Sequence, residues 1–268
     1  MDVKETVLIT GCSDGGIGSA LAIVFQQRGY HVFATTRDLT TMATLKSTPD
    51  ITLLKLDVVD ERDIAAAVDA VTAVTGGTLN YLINNARRNH FMPMLDEDIG
   101  ALKRLYDVNV WGQLALTQAF APLVIRAKGT ITFTTSIAGH LNVPYMGSYA
   151  ASKRSMEIMA ETLRLEMAPF GVTVLCVVTG AVKTNGQSYF ENLTLPENSF
   201  YKSIEAIVAK RAQGNDGVAR MDVMDYAAAV VGTATKHIGG KFWCGENADN
   251  VRMAVSGQVP QSVTVCHR

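Results

Sequence analysis

Val7-Leu8-Ile9-Thr10-Gly11-Cys12-Ser13-Asp14-Gly15-Gly16-Ile17-Gly18 is the stretch that decides the fold of this 268-residue chain. Its first four residues read as a short buried strand. Residues 19 to 27 then carry apolar side chains at helical spacing. A glycine cluster alone is as readily a plain tight turn. Strand, Gly-rich turn and helix in that order make it credible as a phosphate-binding turn. Glycines let backbone amides approach a pyrophosphate, and the helix amino terminus favours its charge. Gly11, Ser13, Gly16, Ile17 and Gly18 are therefore expected to hold a dinucleotide.

The next strand, residues 30–36, ends at Arg37. An acidic residue there would bind the adenosine ribose 2′-hydroxyl of NAD, whereas an arginine accommodates a 2′-phosphate. Thr36 and Arg37 thus point to NADP(H). A solvated surface arginine is the plainer reading of Arg37. Asp38, which follows, either binds the ribose or pairs with Arg37.

Further out, strand-like runs near 51–56, 80–84, 129–135, 172–178 and 241–244 alternate with helical patterns at 17–28, 60–74, 98–124, 148–168 and 221–236. Such alternation predicts one α/β domain spanning residues 1–268, a Rossmann fold whose doubly wound parallel sheet of about seven strands has helices on both faces. Apolar residues make up 48% of the chain, enough for a two-sided core, and the net charge of −1 gives no field for nucleic acid or an acidic membrane. No apolar run reaches the ~18 residues of a membrane span, and residues 1–5 lead straight into the first strand with no room for a signal peptide. A soluble cytoplasmic protein is expected. Cys12, Cys176, Cys244 and Cys266 have no metal-ligand spacing; no metal site is expected, and Cys12 and Cys176 read as reduced packing residues.

Tyr149 and Lys153 stand four residues apart at the start of a predicted helix, with Ser136 thirteen residues upstream. On a helix that spacing places tyrosine and lysine on one face. A fixed ammonium favours phenolate and lowers a pKa that is ordinarily about 10. The pair is then a proton donor or acceptor, and Ser136 could hold a substrate oxygen. The pattern is short, and a helix start where the two residues coincide is the plain alternative.

Taken with both ends, the chain resembles the short-chain dehydrogenase/reductase family over nearly its full length. The resemblance rests on Thr10-Gly11 with Gly16-Ile17-Gly18, Leu56-Asp57-Val58, Asn84-Asn85-Ala86, Val108-Asn109-Val110, Ser136, Tyr149 and Lys153. It implies Asn109, Ser136, Tyr149 and Lys153 as the catalytic set, with Asn109 supporting a proton-relay water. It also implies cofactor contacts at Asp57, Val58, Asn85, Ala86, Gly180, Val182 and Thr184, alongside Tyr149 and Lys153. The glycine turn and residues 33–37 look most like a fungal branch similar to the NADPH-dependent acyl-dihydroxyacetone-phosphate reductases and 17β-hydroxysteroid dehydrogenase-like enzymes. By the same resemblance the chain forms a homodimer or homotetramer.

The chain departs from the family pattern in three places. The glycine turn carries one extra residue, expected to bulge the loop. Arg87 replaces the glycine of the Asn-Asn-Ala-Gly element and points into the cofactor cleft, into substrate space or out to solvent; with Arg88 it holds an anion or forms a surface pair. Thr179-Gly180 replaces a Pro-Gly, which should loosen that turn. Residues 185–218 are irregular and rich in aromatics, and are expected to form a substrate lid. Candidate substrate residues are Arg87, His90, His140, Tyr145, Tyr189 and Phe190. The expected activity is NADPH-dependent reduction of a ketone or aldehyde on a hydrophobic small molecule, a lipid or secondary-metabolite intermediate. The alternatives are imine reduction, or a non-redox cyclase or isomerase that retains NADP(H).

Overall fold

The computed structural model describes residues 4–258. Seven strands form one sheet: β1 (Thr6–Thr10), β2 (His31–Thr36), β3 (Ile51–Lys55), β4 (Tyr81–Asn84), β5 (Thr130–Ser136), β6 (Thr173–Thr179) and β7 (Gly240–Cys244). Their order is β3-β2-β1-β4-β5-β6-β7, with every pair parallel. The chain steps outward from β1 to β3, then returns to β4 on the other side of β1. At that reversal the connections leave in opposite directions, which opens a crevice at the carboxyl ends of β1 and β4.

The strands read as continuous apolar runs because both faces are covered. Helices α1 (Ile17–Gln27) and α7 (Val223–Ala234) pack on one face around Val7, Ile9, Val32, Phe25 and Val230. Helices α2 (Glu61–Thr75), α4 (Gly112–Ala127) and α5 (Gly147–Met167) cover the other around Leu8, Phe33, Phe120, Ile131 and Met156. Side-chain carboxylates fix the starts of α2 and α7: Asp60 accepts from Arg62 N at 2.9 Å, and Asp222 from Met224 N at 2.8 Å.

The predicted unbroken helix at 98–124 is instead α3 (Ile99–Tyr106), one π-helical turn at Asp107–Trp111, and α4. The rod Ile99–Ala127 is long and apolar enough to cross a membrane, its most apolar 18-residue window having a mean hydropathy of 1.3, but half of that window is buried in the fold. Its apolar residues are largely those of the core. The stretch expected to be irregular holds a 3-10 turn at Asn185–Phe190 and a helix, α6 (Glu205–Ala212). Phe190, Leu195, Val208 and Ala212 gather with Phe91 into a small separate cluster, against which Tyr145, Met146 and Tyr201 pack. Helix α8 (Ala248–Met253) ends the described fold. Cys12, Cys176 and Cys244 are buried free thiols, and burial pushes Cys12 and Cys176 up to about 12. Cys266 lies outside the described residues.

Candidate active site

Ser136 is the last residue of β5, and its side-chain oxygen accepts from Ala138 N at 3.1 Å. That bond fixes the hydroxyl at the crevice mouth while leaving its proton free to donate. Tyr149 and Lys153 stand on the first two turns of α5, 7% and 1% exposed, and Tyr149 shares a cavity wall with Ser136. Lys153 Nζ donates to Thr134 O at 3.0 Å and lies 6.0 Å from the Tyr149 ring centre.

The electrostatics differ from the sequence expectation that Lys153 lowers the phenol. Burial pushes Tyr149 up, and the charge of Arg87 and the polar Ser136 hydroxyl pull against it. Burial, helped by the Arg87 charge, depresses the Lys153 ammonium to about 7. The lysine has therefore lost its proton where the phenol titrates, and it contributes no positive field there. Arg87 is the cation that acts on the phenol.

Asn109 sits on the π turn. Its Oδ1 accepts from Arg88 N at 2.8 Å, and its Nδ2 donates to Arg88 O and to Ser152 Oγ, both at 3.0 Å. The inserted residue of the π turn brings this amide to the loop after β4. Asn85 Nδ2 donates to Thr10 O at 2.8 Å, and Ala86 N donates to Thr10 Oγ at 2.9 Å. These bonds stitch β1 to β4 at the point of reversal.

The glycine turn suits a dinucleotide. A Cβ on Gly18 would come within 2.8 Å of the Asn85 amide, so only glycine lets α1 start this close to the loop. No side chain caps α1, which leaves first-turn amides for an anion. The extra loop residue does not hang free: Asp14 N donates to Thr41 O at 2.8 Å, and an Asp14 carboxylate oxygen accepts from Thr44 N at 3.2 Å. Ser13, Thr36 and Thr41 bring their hydroxyls within 3.0 to 3.3 Å of one another beside the exposed Arg37. Asp38 does not pair with Arg37; it caps the following turn by accepting from Thr40 N at 2.9 Å and Thr40 Oγ at 2.7 Å. Asp57 accepts from Val59 N at 3.2 Å, and Val58 is buried.

The turn after β6 is tied rather than loosened. Thr179 Oγ is 2.7 Å from Tyr226 OH, Gly180 N donates to Cys244 O at 2.8 Å, and Ala181 and Glu246 exchange backbone bonds. The hydroxyl of Thr179 thus supplies an anchor where a proline would have supplied stiffness. Tyr226, like Thr41 and Gln113 (which donates to Ala86 O at 3.0 Å), was not singled out by the sequence reading. The hydroxyl-rich run around residues 35–41 was the available signal for Thr41; nothing local marks the other two.

Ile17, Ser136, Tyr149, Gly180, Val182 and Thr184 line one cavity of about 170 Å³, together with Arg87 and Arg220. Of the six candidate substrate residues, Arg87 alone lines it. His90 Nε2 bonds Glu97 at 2.6 Å, and His140 Nε2 bonds Glu157 at 2.7 Å. Tyr145 and Phe190 pack against Phe91 in the apolar cluster, while Tyr189 is 74% exposed. Among the described residues no His, Cys, Asp and Glu side chains are grouped to hold a metal ion.

A family profile described as short chain dehydrogenase matches residues 5–192. Similar curated proteins include the short-chain dehydrogenase PC-15 of Penicillium crustosum, 45% identical over 245 residues that span 91% of this chain and 90% of that one. The NADPH-dependent 1-acyldihydroxyacetone phosphate reductase of Schizosaccharomyces pombe is 41% identical over 205 residues, 75% of this chain and 69% of that one. Among solved structures, a short-chain dehydrogenase from Streptomyces avermitilis superposes with a TM-score of 0.81 at 26% identity, covering 98% of this chain and 96% of that one.

Proposed function

The chain belongs to the short-chain dehydrogenase family, and from that premise we propose that it is an NADPH-dependent reductase acting on the ketone or aldehyde of a hydrophobic small molecule. The observation that carries this reading is that Ser136 and Tyr149 line one cavity at the mouth of the crevice, with Lys153 buried behind the phenol. NADPH, when bound, supplies a hydride to the carbonyl carbon. Ser136 holds the carbonyl oxygen, and Tyr149 passes its proton to that oxygen as negative charge develops on it. The products would be the alcohol, the oxidised cofactor and the phenolate, which is reprotonated from solvent. Lys153, close to half-protonated near neutrality, stands behind the phenol as a proton carrier.

For the choice of cofactor, the support is the hydroxyl group of three beside an Arg37 that Asp38 leaves unpaired, and the likeness to a relative named as NADPH-dependent. Apolar character of the substrate is supported by Ile17, Met146, Ala181 and Val182 on the cavity wall, where Met146 packs against the buried Phe91, Phe190 and Leu195 cluster, with residues 185–218 as the covering segment. Several relatives are fungal short-chain dehydrogenases, which fits a lipid or secondary-metabolite intermediate. A homo-oligomer belongs to the same reading: Ile158 and Leu165 on α5 are 56% and 65% exposed, an apolar outer face to be covered by a second copy.

The test is NADPH consumption over a panel of lipid, steroid and polyketide-like ketones, with Tyr149→Phe alongside. Turnover by the natural chain, lost at least a hundredfold in Tyr149→Phe, is the expected result. Arg87 beside the phenol is the feature that favours the other reading, a non-redox role with retained cofactor. In that case Tyr149→Phe would keep its activity and no ketone would be consumed.

A further inference from the structure

Arg87 and Arg88 follow β4 and part company at once. Arg88 is exposed, its backbone held by Asn109, whereas Arg87 is half-buried and turns inward. A Cβ built on Gly186 would lie 3.6 Å from Arg87 Nη2, so the guanidinium reaches across to the turn after Thr184. It lines the same cavity as Ser136 and Tyr149, and its charge bears on Tyr149, Lys153 and Tyr226.

The other arginine of that cavity is already satisfied. Arg220 Nη2 holds both oxygens of Asp216 at 3.0 Å, and Nη1 donates to Val218 O at 2.8 Å. Among the described residues, no carboxylate is ion-paired with Arg87, and none of its guanidinium nitrogens has a hydrogen-bond acceptor. A cation drawn out of water without a counter-charge is costly, and a planar guanidinium is shaped to grip a carboxylate or phosphate. The pyrophosphate has its own place at the uncapped start of α1. What faces Arg87 is the proton-donating end of the cleft.

We propose that Arg87 binds an anionic group, carboxylate or phosphate, carried by the carbonyl substrate itself, so that the enzyme selects oxo acids or oxo phosphates over their neutral counterparts. This deepens the reductase reading and rests on it. The substrate then has two recognisable ends: an apolar part against Met146, Ile17 and Val182 and an oxyanion on Arg87, with the reacting carbonyl at Ser136 and Tyr149.

The test compares a medium-chain δ-keto acid with its methyl ester, using the natural chain, Arg87→Gly, Arg87→Gln and Arg87→Lys. Binding of NADPH and of decyl phosphate, which cannot react, is measured by calorimetry on the same proteins. The natural chain should prefer the acid. Arg87→Gly and Arg87→Gln should lower kcat/KM for the acid roughly 10- to 100-fold through KM. The ester should share only the kcat change that follows from removing the Arg87 charge beside Tyr149, so the acid-to-ester ratio of kcat/KM should fall about tenfold or more; the NADPH Kd should change less than about threefold, decyl phosphate binding should fall in step with that ratio, and Arg87→Lys should recover part of the preference. Equal losses for acid and ester would overturn the proposal. So would a tenfold rise in the NADPH Kd with selectivity unchanged, which would give Arg87 to the cofactor phosphates. If the natural chain reduces neither compound, the reductase reading fails at that step. The decyl phosphate titration still decides the anion site: affinity that is the same with and without Arg87 removes it.

Discussion

At the scale of single residues, burial governs the candidate catalytic pair more than mutual attraction does. The native Lys153 ammonium titrates at about 7 against an ordinary 10.5, so between those values the unfolded chain binds more protons than the folded one. Stability therefore rises with pH across that window, and the lysine penalises the fold most where it must stay charged. Lys153→Met should consequently compare better with the natural chain at about pH 6 than at about pH 9.5, by roughly 3 kcal/mol. Urea denaturation of both proteins at the two pH values measures this, and the other titrating groups cancel in the difference. A gap that does not change with pH would mean the lysine is not desolvated. The tyrosine and lysine were legible in the sequence because four-residue spacing on a helix fixes a shared face. The direction of Arg87 was not, since a sequence does not say which of two neighbouring arginines turns inward. Here that is settled by Asn109 gripping the Arg88 backbone from a helix twenty-one residues away.

At the scale of elements, the strands and long helices were legible because each carries several turns or a full buried run of periodic signal. Helices α6 and α8, with 8 and 6 residues, are too short for periodicity to mark, and the π turn depends on a tertiary contact of Asn109. The same is true of the clamp that registers Ser136 against α5. Glu157 on α5 is 1% exposed and holds His140 at 2.7 Å, Arg154 at 2.6 Å and Lys241 at 2.8 Å. His140 ends the 3-10 turn that begins beside Ser136, and Lys241 lies on β7, so one carboxylate joins three elements. Burial pushes that carboxyl up, but the bonds from His140 and Lys241 outweigh it and leave it below the usual range. Its stabilisation is present above the ordinary glutamate range and is lost as pH falls through the lower native value. Glu157→Gln should therefore cost about 2–3 kcal/mol near neutrality. The gap should close only as the pH falls through the native value, below the ordinary glutamate range, where the natural carboxyl is protonated as well. Chemical denaturation across that range checks it. A penalty that persists unchanged in acid would assign the role to packing and not to charge.

At the scale of the whole molecule, the sheet reversal joins parts that are far apart in the chain. The start of α1, the end of β2, the β4 loop and the turn after β6 all face one crevice, and they belong to the two cores on opposite faces of the sheet. The outer face of α5 is a separate surface: if Ile158 and Leu165 are covered by a second copy, Leu165→Glu should shift sedimentation toward the monomer without lowering NADPH affinity. A dinucleotide that touches all four crevice segments binds only the folded chain, so its affinity is read directly as added stability. NADPH at a hundred times its Kd should add about 2.7 kcal/mol. For a domain of this size that is roughly 5–10 °C in Tm. NADH at the same concentration should add clearly less, because the Ser13, Thr36 and Thr41 hydroxyls and Arg37 would have no 2′-phosphate to hold. Arg37→Ala should bring the NADPH shift down toward the NADH value while leaving the NADH shift unchanged. Differential scanning fluorimetry with both cofactors on both proteins measures all four quantities. Equal shifts for the two cofactors on the natural chain would place Arg37 among ordinary solvated surface arginines and remove the preference for NADP(H). A large NADPH shift that survives Arg37→Ala would instead assign the 2′-phosphate to the three hydroxyls.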